Sequence, residues 1–310
     1  MINAIGIDFG GTSIKSALVC EGRIVLRGAP IDTQNFSGPE AILDALCEVI
    51  ADLRSHEGSV AAIGIGLPGL VDSVNGIVHE LTNVPGWLEV PLRDLLTKRT
   101  GLPVTIENDA KSMAYGEWQY GAAQNGRHVL CVTLGTGVGG ALILDGKLYR
   151  GAQLGAGEIG HLSIDYRGRP GPYGNNGGLE EYVGNSQIAE RAAERYREAG
   201  QERPVDECTP FHLAQLAESG DPIAKQMWED IGTELGSALA SVVWVINPDT
   251  IVIGGGVAKA GELIFEPVRR NIATRTIKVI NSQLRIIPAA LGNDAGIIGS
   301  AALALEAARS

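Results

Sequence analysis

Cysteine is scarce in this sequence, and the four cysteines that it contains are far apart. Cys20, Cys47, Cys131 and Cys208 form no C-x-x-C pair. Such spacing provides neither a disulfide framework nor a cysteine-rich metal site, and it is typical of proteins from a reducing compartment. The sequence therefore predicts a cytoplasmic protein with reduced cysteines.

Basic residues and long apolar segments are scarce as well. The formal net charge is −11, whereas nucleic acids and anionic membranes attract basic surfaces. No apolar run approaches the ~20 residues of a membrane-spanning helix. The first residues, MINAIGIDFGG, lack the basic start and apolar core of a signal peptide. We therefore expect no nucleic acid and no membrane among the partners, although backbone amides and Mg²⁺ still allow an acidic protein to bind ATP.

Glycine, by contrast, is abundant. The chain has 42 glycines in 310 residues, which indicates many tight turns and close backbone contacts. Apolar residues make up 45% and charged residues 20%, the balance of a soluble globular protein. A chain of this length can form two lobes of ordinary domain size.

The stretch Gly157-Glu158-Ile159-Gly160-His161 places a carboxylate and an imidazole close together among glycines. Glycine lets a backbone approach a ligand closely, so both side chains could converge on one small molecule. The alternative is a glycine-rich turn with a solvated glutamate and an incidental histidine, and these residues alone favour it. Residues 161–165 are predicted to form a strand.

The N-terminal residues predict a β-meander. Strands are expected over residues 4–9, 16–20 and 23–27, and Asp8 is the one charge of the first strand. The turn Gly10-Gly11-Thr12 presents backbone amides and a hydroxyl group, which suit a phosphate. The alternative is a plain hairpin with a costly aspartate at the strand end.

The meander recurs later in the sequence, after a predicted strand over residues 129–134. Three pairs of segments match at one constant offset: Gly11-Thr12 with Gly135-Thr136, Ala17-Leu18-Val19 with Ala141-Leu142-Ile143, and Glu21-Gly22-Arg23-Ile24 with Asp145-Gly146-Lys147-Leu148. A duplicated lobe with two phosphate-binding hairpins explains this offset better than chance does. The run 135–140 also fits the dinucleotide pattern G-x-G-x-x-G, but that pattern requires a following helix, and residues 141–148 predict a hairpin.

A further carboxylate, Asp109, follows a predicted strand over residues 104–107. Ligands of parallel α/β sheets bind at the carboxyl ends of strands, which makes Asp109 a candidate catalytic residue. A helix is expected to begin at Ala110, so the alternative is an N-cap role, which these residues alone favour.

The second half of the sequence is predicted to be mainly helical. Helices are expected over residues 187–200 and, with Asp221 as N-cap and Pro222 in the first turn, over 222–246. A strand over residues 250–253 leads into Gly254-Gly255-Gly256, where bare backbone admits a phosphate or a flat ligand. Residues 167–178 are predicted to be irregular and 201–209 to form a surface connection.

The motifs DFGGTSIK, GLPG, LTNVPGW, END, LGTGVGG, GAGEIGH, VIGGGV and GNDAGIIGSA occur in this order. Together they resemble the ROK family of sugar kinases and related repressors, over about residues 4–304. The resemblance implies an α/β, two-lobe actin-like (ribonuclease-H-like) ATPase fold with duplicated lobes around a central cleft. The implied smaller N-terminal lobe comprises residues 1–109 plus 293–310, and the larger C-terminal lobe comprises residues 110–292.

The resemblance also implies roles for individual residues. Asp109 is the expected catalytic base, and Asp8 is expected to hold Mg²⁺ indirectly. The expected phosphate and nucleotide contacts are Gly10, Gly11, Thr12, Lys15, Thr136, Gly137, Gly254, Gly255 and Gly256. The expected sugar contacts are Gly69, Asn83, Asn108, Asp109, Glu158, His161 and Glu180.

The implied activity is ATP-dependent phosphorylation of a hexose hydroxyl, expected at the 6-position, with Mg²⁺ as cofactor. Glucose is the first expected substrate, while fructose, mannose, N-acetylglucosamine, N-acetylmannosamine and another phosphoryl donor stay open. One alternative is a sugar-binding sensor or repressor, which the acidic charge and the immediate first strand disfavour. Another is a degenerate kinase without turnover, which the retention of Asp8 and Asp109 disfavours. The expected assembly is a homodimer or homotetramer.

One motif departs from the family. ROK proteins usually carry C-x-C-G-x-x-G-C-x-E after the Gly-His pair, and its cysteines and the histidine bind structural zinc. Here the cysteine positions are Gly171, Tyr173 and Gly178, although Glu180 remains. Because thiolates supply most of the binding in Cys₃His sites, we expect no structural zinc, and we expect packing by Tyr173 to help hold the loop.

Overall fold

The computed structural model describes residues 2–36, 38–56, 59–81, 84 and 86–309. The chain divides into two compact units, each of mixed α/β structure. The first unit comprises Met1–Asn125, Leu148–Ala156 and Ala290–Ser310, and the second comprises Gly126–Lys147 and Gly157–Ala289.

The regular elements are numbered in chain order. The strands are β1 (Asn3–Phe9), β2 (Ser13–Cys20), β3 (Arg23–Arg27), β4 (Ile31–Asp32), β5 (Val60–Leu67), β6 (Leu70–Asp72), β7 (Ile77–Glu80), β8 (Leu88–Val90), β9 (Val104–Asn108), β10 (Val129–Leu134), β11 (Val138–Leu144), β12 (Lys147–Tyr149), β13 (Thr250–Gly255) and β14 (Arg285–Pro288). The α-helices are α1 (Pro39–His56), α2 (Leu92–Thr100), α3 (Asp109–Tyr120), α4 (Glu180–Val183), α5 (Asn185–Glu198), α6 (Pro210–Glu218), α7 (Pro222–Ile246), α8 (Glu262–Arg275), α9 (Lys278–Asn281) and α10 (Ala295–Ala307). Short 3₁₀ helices cover Thr33–Asn35, Ile159–His161, Val205–Cys208, Val257–Ala260 and Gly292–Asp294.

The two main sheets repeat one topology. Their strand orders are β3-β2-β1-β5-β9, with β4 paired to β2, and β12-β11-β10-β13-β14. In each sheet an antiparallel hairpin, β1–β2 or β10–β11, adjoins strands that run parallel to its first strand. The predicted duplication and α/β class are therefore confirmed.

The hairpin turns that follow β2 and β11 are also equivalent. Glu21 and Gly22 have φ angles of 48° and 76°, and Asp145 and Gly146 have φ angles of 52° and 69°. Positive φ at both central residues is the geometry of a type I′ turn, whose twist matches that of the flanking strands. The repeated acidic residue and glycine in the sequence thus encode the same turn twice.

Helix α10 is the centre of the first unit, and glycines allow it to lie directly on the sheet. A Cβ atom on Gly6 of β1 would lie 2.0 Å from the carbonyl oxygen of Ile297, and one on Gly64 of β5 would lie 1.8 Å from that of Ser300. Neither distance is compatible with a side chain. The backbones of α10, β1 and β5 therefore touch without side chains between them.

Glu117 of α3 connects this helix to two other segments of the first unit. Its fully buried carboxylate accepts hydrogen bonds from the backbone N–H groups of Ala122 at 2.8 Å, Ala290 at 3.0 Å and Leu291 at 2.7 Å. These bonds satisfy a charge that would otherwise be costly to bury. They also hold α3 to residues 290 and 291 of the first unit, whose first segment ends at Asn125, whereas the family resemblance implies a lobe boundary at 109/110.

Helix α7 is the corresponding central helix of the second unit and has the predicted bounds. Asp221 accepts hydrogen bonds from the N–H groups of Ile223 and Ala224, both at 2.9 Å, and Asn247 ends the helix in the left-handed conformation. Its apolar face packs on α8, where Gly232 lies against Pro267. The N-cap, the apolar face and the terminating asparagine together determine where this helix begins and ends.

One local prediction fails. Residues 161–165 do not form the predicted strand, because His161 ends a 3₁₀ helix and only Ser163 makes a bridge, to Gly178. Residues 201–209 are mostly exposed, as expected of a surface connection, although the 3₁₀ helix Val205–Cys208 buries Cys208. Among the described residues, no helix combines the length and apolar character needed to cross a bilayer.

Candidate active site

In the first unit, three parallel strands bring candidate residues to one edge of the sheet. The register pairs Asp8 of β1 with Gly66 of β5, and Gly66 with Glu107 of β9. The carboxyl ends of these strands therefore share an edge, and Gly10, Gly69 and Asp109 follow them within two residues. This edge is where ligands of parallel α/β sheets bind.

Asp8 lies near this edge in a half-buried position. Burial raises the pKa of its carboxyl group above the ordinary range, and Lys15, its partner across the β1–β2 ladder, partly offsets that rise. Gly296 of α10 lies beneath it, since a Cβ atom there would be 3.1 Å from Oδ1 of Asp8. The carboxylate thus carries an incompletely compensated negative charge, which favours a cation.

The first glycine turn is held from behind by Thr33. Its Oγ1 donates to the carbonyl oxygen of Gly11 at 2.9 Å, and its N–H group donates to that of Thr12 at 3.2 Å. Gly10 closes the turn by donating to the carbonyl oxygen of Ser13 at 3.0 Å. These bonds give residues 10–12 a fixed shape, and the side chain of Thr12 is exposed.

Asn108 and Asp109 of the END stretch have different positions at the start of α3. Asn108 is the N-cap of α3, because its Oδ1 accepts the N–H group of Lys111 at 3.2 Å. Asp109 is instead the first residue of the helix, and one of its carboxylate oxygens accepts the N–H group of Ala110 at 2.7 Å. The capping task therefore falls to Asn108, which removes the main alternative to a catalytic role for Asp109.

Glu107 and Arg150 were not identified as site residues from the sequence. Glu107 is buried, accepts the N–H group of Asn108 at 3.0 Å and is paired with Nε of Arg150 at 2.6 Å. The pair fixes the backbone just before Asp109. No sequence signal joins these residues, which lie 43 positions apart.

Gly69, a predicted sugar contact, also lies at this edge, between β5 and β6. Its φ is +81°, and a Cβ atom would lie 2.7 Å from the carbonyl oxygen of Glu80. Only glycine fits both conditions. Asn83 lies outside the described residues.

The second unit brings two glycine-rich segments to one edge of its own sheet. Strands β10 and β13 are parallel, with Leu134 opposite Gly255, so residues 135–137 follow the end of β10 and residues 254–256 span the end of β13. Gly135 donates to the carbonyl oxygen of Gly137 and accepts from the N–H group of Asn185, both at 2.9 Å. The predicted second phosphate loop and the predicted adenosine segment are therefore neighbours.

A pocket of about 680 Å³ lies beside these segments within the second unit. Its lining includes Gly256, Asn185, Asp206, Pro210 and Phe211. Apolar walls with a few polar groups are typical of small-molecule sites. Residues of the surface connection therefore line part of this pocket, which no signal in the sequence indicates.

The GEIGH stretch packs on the start of β11 in the second unit. A Cβ atom on Gly160 would lie 2.4 Å from the carbonyl oxygen of Val138, and one on Gly157 would lie 2.8 Å from that of Gly140. These glycines therefore anchor the 3₁₀ helix Ile159–His161, while the side chains of Glu158 and His161 are exposed. The alternative of an ordinary loose turn does not explain such close backbone contact.

Glu180, at the start of α4, contacts the second glycine loop directly. Its Oε2 accepts the N–H group of Val138 at 2.8 Å and would lie 2.2 Å from a Cβ atom on Gly137. A predicted sugar contact and a predicted phosphate contact therefore touch each other. The carboxylate of Glu180 can occupy this position because residue 137 has no side chain.

The repeated sheets and their glycine turns define the two-lobe, actin-like class of α/β proteins. The family model described as ROK family matches residues 4–307, and the chain belongs to this family. A glucokinase of Thermotoga maritima is 32% identical to it, over 98% of this chain and 98% of its own length.

Solved structures agree with this assignment. A ROK family glucokinase from Streptomyces griseus, in complex with glucose and AMPPNP, is 33% identical with a TM-score of 0.81, covering 98% of this chain and 99% of its own. The xylose repressor of Bacillus spizizenii is also similar, at 28% identity over 98% of this chain and 77% of the repressor. The chain is thus similar to sugar kinases and to repressors of one family.

The residues of the first sheet edge fit the Mg²⁺ that such a kinase implies. Mg²⁺ takes oxygen ligands, usually one or two carboxylates together with phosphates and water. Asp8 offers such a carboxylate, and a cation nearby would offset the cost of burying its charge. In the second unit, the pocket beside Gly256 lies within the range of about 300–1,000 Å³ that is usual for small-molecule sites.

Proposed function

We propose that this protein is an ATP-dependent hexose kinase, acting at the 6-hydroxyl group, with glucose as the first expected substrate. The observation that carries the proposal is the end of β9, where Asn108 caps α3 and Asp109 follows at the ligand-binding edge. Similarity to the glucokinases of T. maritima and S. griseus supports the same activity.

Asp109 is the proposed general base. A sugar hydroxyl is a poor nucleophile until a carboxylate accepts its proton. As Asp109 takes that proton, the hydroxyl oxygen bonds to the γ-phosphorus of ATP, and the bond to the bridging oxygen breaks to release ADP. Glu107 and Arg150 fix the backbone that carries the base.

The remaining groups bind and orient. The proposed phosphate contacts are Gly10, Gly11, Thr12, Lys15, Thr136 and Gly137, and the proposed adenosine contacts are Gly254, Gly255 and Gly256. Asp8 would hold Mg²⁺ indirectly, and the bound cation supplies neutralisation of phosphate charge. The proposed sugar contacts, besides Asp109, are Gly69, Asn83, Asn108, Glu158, His161 and Glu180.

We also propose that the protein is cytoplasmic and forms a homodimer or homotetramer. Light scattering on the purified protein tests the proposed assembly.

A coupled ADP-release assay across a sugar panel tests the activity. The panel contains glucose, fructose, mannose, N-acetylglucosamine, N-acetylmannosamine and xylose, each with ATP and excess Mg²⁺. We expect sugar-dependent ADP release, with the largest kcat/KM for glucose. ADP release at the sugar-free rate with every member would contradict the proposal.

The similarity to the xylose repressor supports a second candidate function, sugar binding without turnover. The two functions differ in their expected results. A sensor would bind one panel member in calorimetry, release no ADP, and respond to that sugar through another partner. Binding with turnover would reject the sensor.

Replacing Asp8 separates its proposed function from its effect on stability. The raised pKa of Asp8 means that the folded protein disfavours its charged form, so Asp8→Asn should raise the free energy of unfolding at pH 7. This gain should shrink as the pH falls, because the wild-type carboxyl group becomes protonated and its penalty disappears. Activity should fall about tenfold, because groups that hold a metal indirectly typically contribute about that much.

Urea unfolding at pH 7 and at pH 4.5, combined with kcat/KM at saturating Mg²⁺, checks this prediction. The comparison between the two proteins cancels the titration of groups that they share. A variant less stable than the wild type at pH 7 would show that Asp8 stabilises the fold instead.

Gly137→Ala should weaken sugar binding through Glu180. The new Cβ atom would displace the flexible carboxylate from Val138 at little cost to the fold, because only the end of a side chain must move. A displaced charged acceptor should reduce sugar affinity about tenfold. Calorimetry without nucleotide measures this effect apart from phosphate binding.

The matched control is Gly135→Ala in the same loop. A Cβ atom on Gly135 meets no atom within 4 Å, so this variant should bind sugar with wild-type affinity. Equal losses in both variants would mean that loop rigidity, and not the position of Glu180, determines the affinity.

A further inference from the structure

The segment between His161 and Glu180 does not fit the zinc that the family pattern implies. A structural site of this type needs about four Cys, His or carboxylate ligands. Gly171, Tyr173 and Gly178 occupy the three cysteine positions, and none of them offers a thiolate. Some other interaction must therefore hold residues 162–178 in place.

The backbone of this segment, which the structure describes throughout, contains no strand or α-helix, as the sequence predicts, but antiparallel bridges fold it back on itself into a small hairpin-like loop, called the hairpin below. Bridges join Ser163 to Gly178 and Pro170 to Asn176. Further backbone bonds run from the N–H group of Leu179 to the oxygen of Leu162 at 2.9 Å and from that of Ile164 to Gly177 at 2.8 Å. Gly177, at φ +71°, lies so close to Asp165 that a Cβ atom would be 1.9 Å from its carbonyl oxygen.

Asn175 ties the tip of this hairpin to its base. Its Nδ2 donates a hydrogen bond of 2.6 Å to the carbonyl oxygen of His161. This bond joins the two segments that a structural zinc would join in the family pattern: the Gly-His pair, and residues 171–178, which align with the cysteine motif. Tyr173 makes an edge contact with the ring of His161, with the ring centroids 5.3 Å apart, but the residue is 84% exposed, so the packing that it contributes is slight.

Tyr182 ties the hairpin to α4, the helix that begins with Glu180. Its hydroxyl oxygen accepts the N–H group of Arg169 at 3.1 Å, and it would lie 2.1 Å from a Cβ atom on Gly168. Arg191 donates to the carbonyl oxygen of Tyr182 and pairs with Glu234 of α7. The hairpin is thus connected, through Tyr182, to the central helix of the second unit.

We propose that Asn175 and Tyr182 are positioning residues that hold this hairpin in place of a structural zinc. They hold the hairpin so that His161 at one end and Glu180 at the other keep their places without zinc. The consequence for sugar binding rests on the proposed kinase function, whereas the consequence for the order of residues 162–178 does not.

Hydrogen exchange and sugar binding test the proposal together, on chelator-washed full-length protein. Asn175→Ala and Asn175→Asp both remove the amide donor, and Tyr182→Phe removes the hydroxyl group. Each should lower exchange protection in residues 162–178 about fivefold, which is the equivalent of one ordinary hydrogen bond. Each should also raise KM for the sugar while leaving kcat and ATP affinity nearly unchanged.

Asn176→Ala is the matched control, because the hydroxyl group of Ser163 donates to the backbone oxygen of Asn176, which alanine keeps. This variant should resemble the wild type in both measurements. Elemental analysis of the washed protein should find zinc far below one atom per chain. About one zinc per chain, or equal protection in the Asn175→Ala and Asn176→Ala proteins, would overturn the proposal.

The two proposals fail in different ways. A wild-type protein that phosphorylates no sugar would end the kinase proposal, but the exchange measurements would still decide whether Asn175 and Tyr182 hold the hairpin. Normal kinase activity with unchanged exchange in all three variants would end the second proposal alone.

Discussion

Asp109→Asn should lower kcat by at least ~10², the low end of what a general base contributes. Asparagine keeps the size of the side chain and its hydrogen bond from Ala110, but it cannot accept the proton of a sugar hydroxyl. The helix should not suffer, because Asn108 and not Asp109 caps α3. Sugar affinity should change little, since the other proposed sugar contacts are unaltered.

Steady-state kinetics with glucose, with sugar affinity from calorimetry, measures the effect. The control is Asp221→Asn, the same substitution at the N-cap of α7, which should leave kcat unchanged. Turnover near the wild-type value in the Asp109→Asn protein, with reduced stability, would return Asp109 to a purely structural role.

Gly64→Ala should destabilise the first unit by about 3 kcal/mol or more, at the upper end of overpacking effects. The new Cβ atom would lie 1.8 Å from the carbonyl oxygen of Ser300 and 2.4 Å from its carbonyl carbon. Both atoms belong to the backbone of α10, so no rotation of a side chain can relieve the clash. The helix must shift away from β5, and its contacts with β1 and α3 are then disturbed as well.

Urea denaturation with separate probes for each unit measures this change. Trp118 reports on the first unit and Trp228 on the second, each in a protein whose three other tryptophans are replaced by phenylalanine. Gly155→Ala, also in the first unit, is the control, because a Cβ atom there meets nothing within 4 Å. A loss below ~1 kcal/mol in the Gly64→Ala protein would show that α10 can move freely on the sheet.

The parts of the fold that were predicted from sequence are those with local signals. Asp221 and Pro222 start α7, and the paired turns after β2 and β11 carry an acidic residue followed by glycine. Each signal lies within a few residues of the structure that it specifies. The glycine turns and the position of Asp109 at a strand end could be found in the same way.

The parts that were missed depend on contacts between distant residues. Asn108 and Asp109 are both good caps, and only the bond from Lys111 shows which one caps. Arg150 reaches Glu107, Asn175 reaches His161, and Glu117 reaches Leu291, across 43, 14 and 174 positions. No periodicity or propensity encodes such pairs, so the support of the base and the hairpin emerged only from the structure.

The location of α10 has a consequence for synthesis on the ribosome. The first unit begins at the N-terminal end of the chain, yet its central helix is Ala295–Ala307 and its glycines at residues 6 and 64 accommodate only that helix. The second unit lies within residues 126–289 and can be translated completely before α10 exists. Multidomain chains generally fold N-terminal parts first, but here the early strands must wait, with their apolar face uncovered, for a helix translated hundreds of residues later.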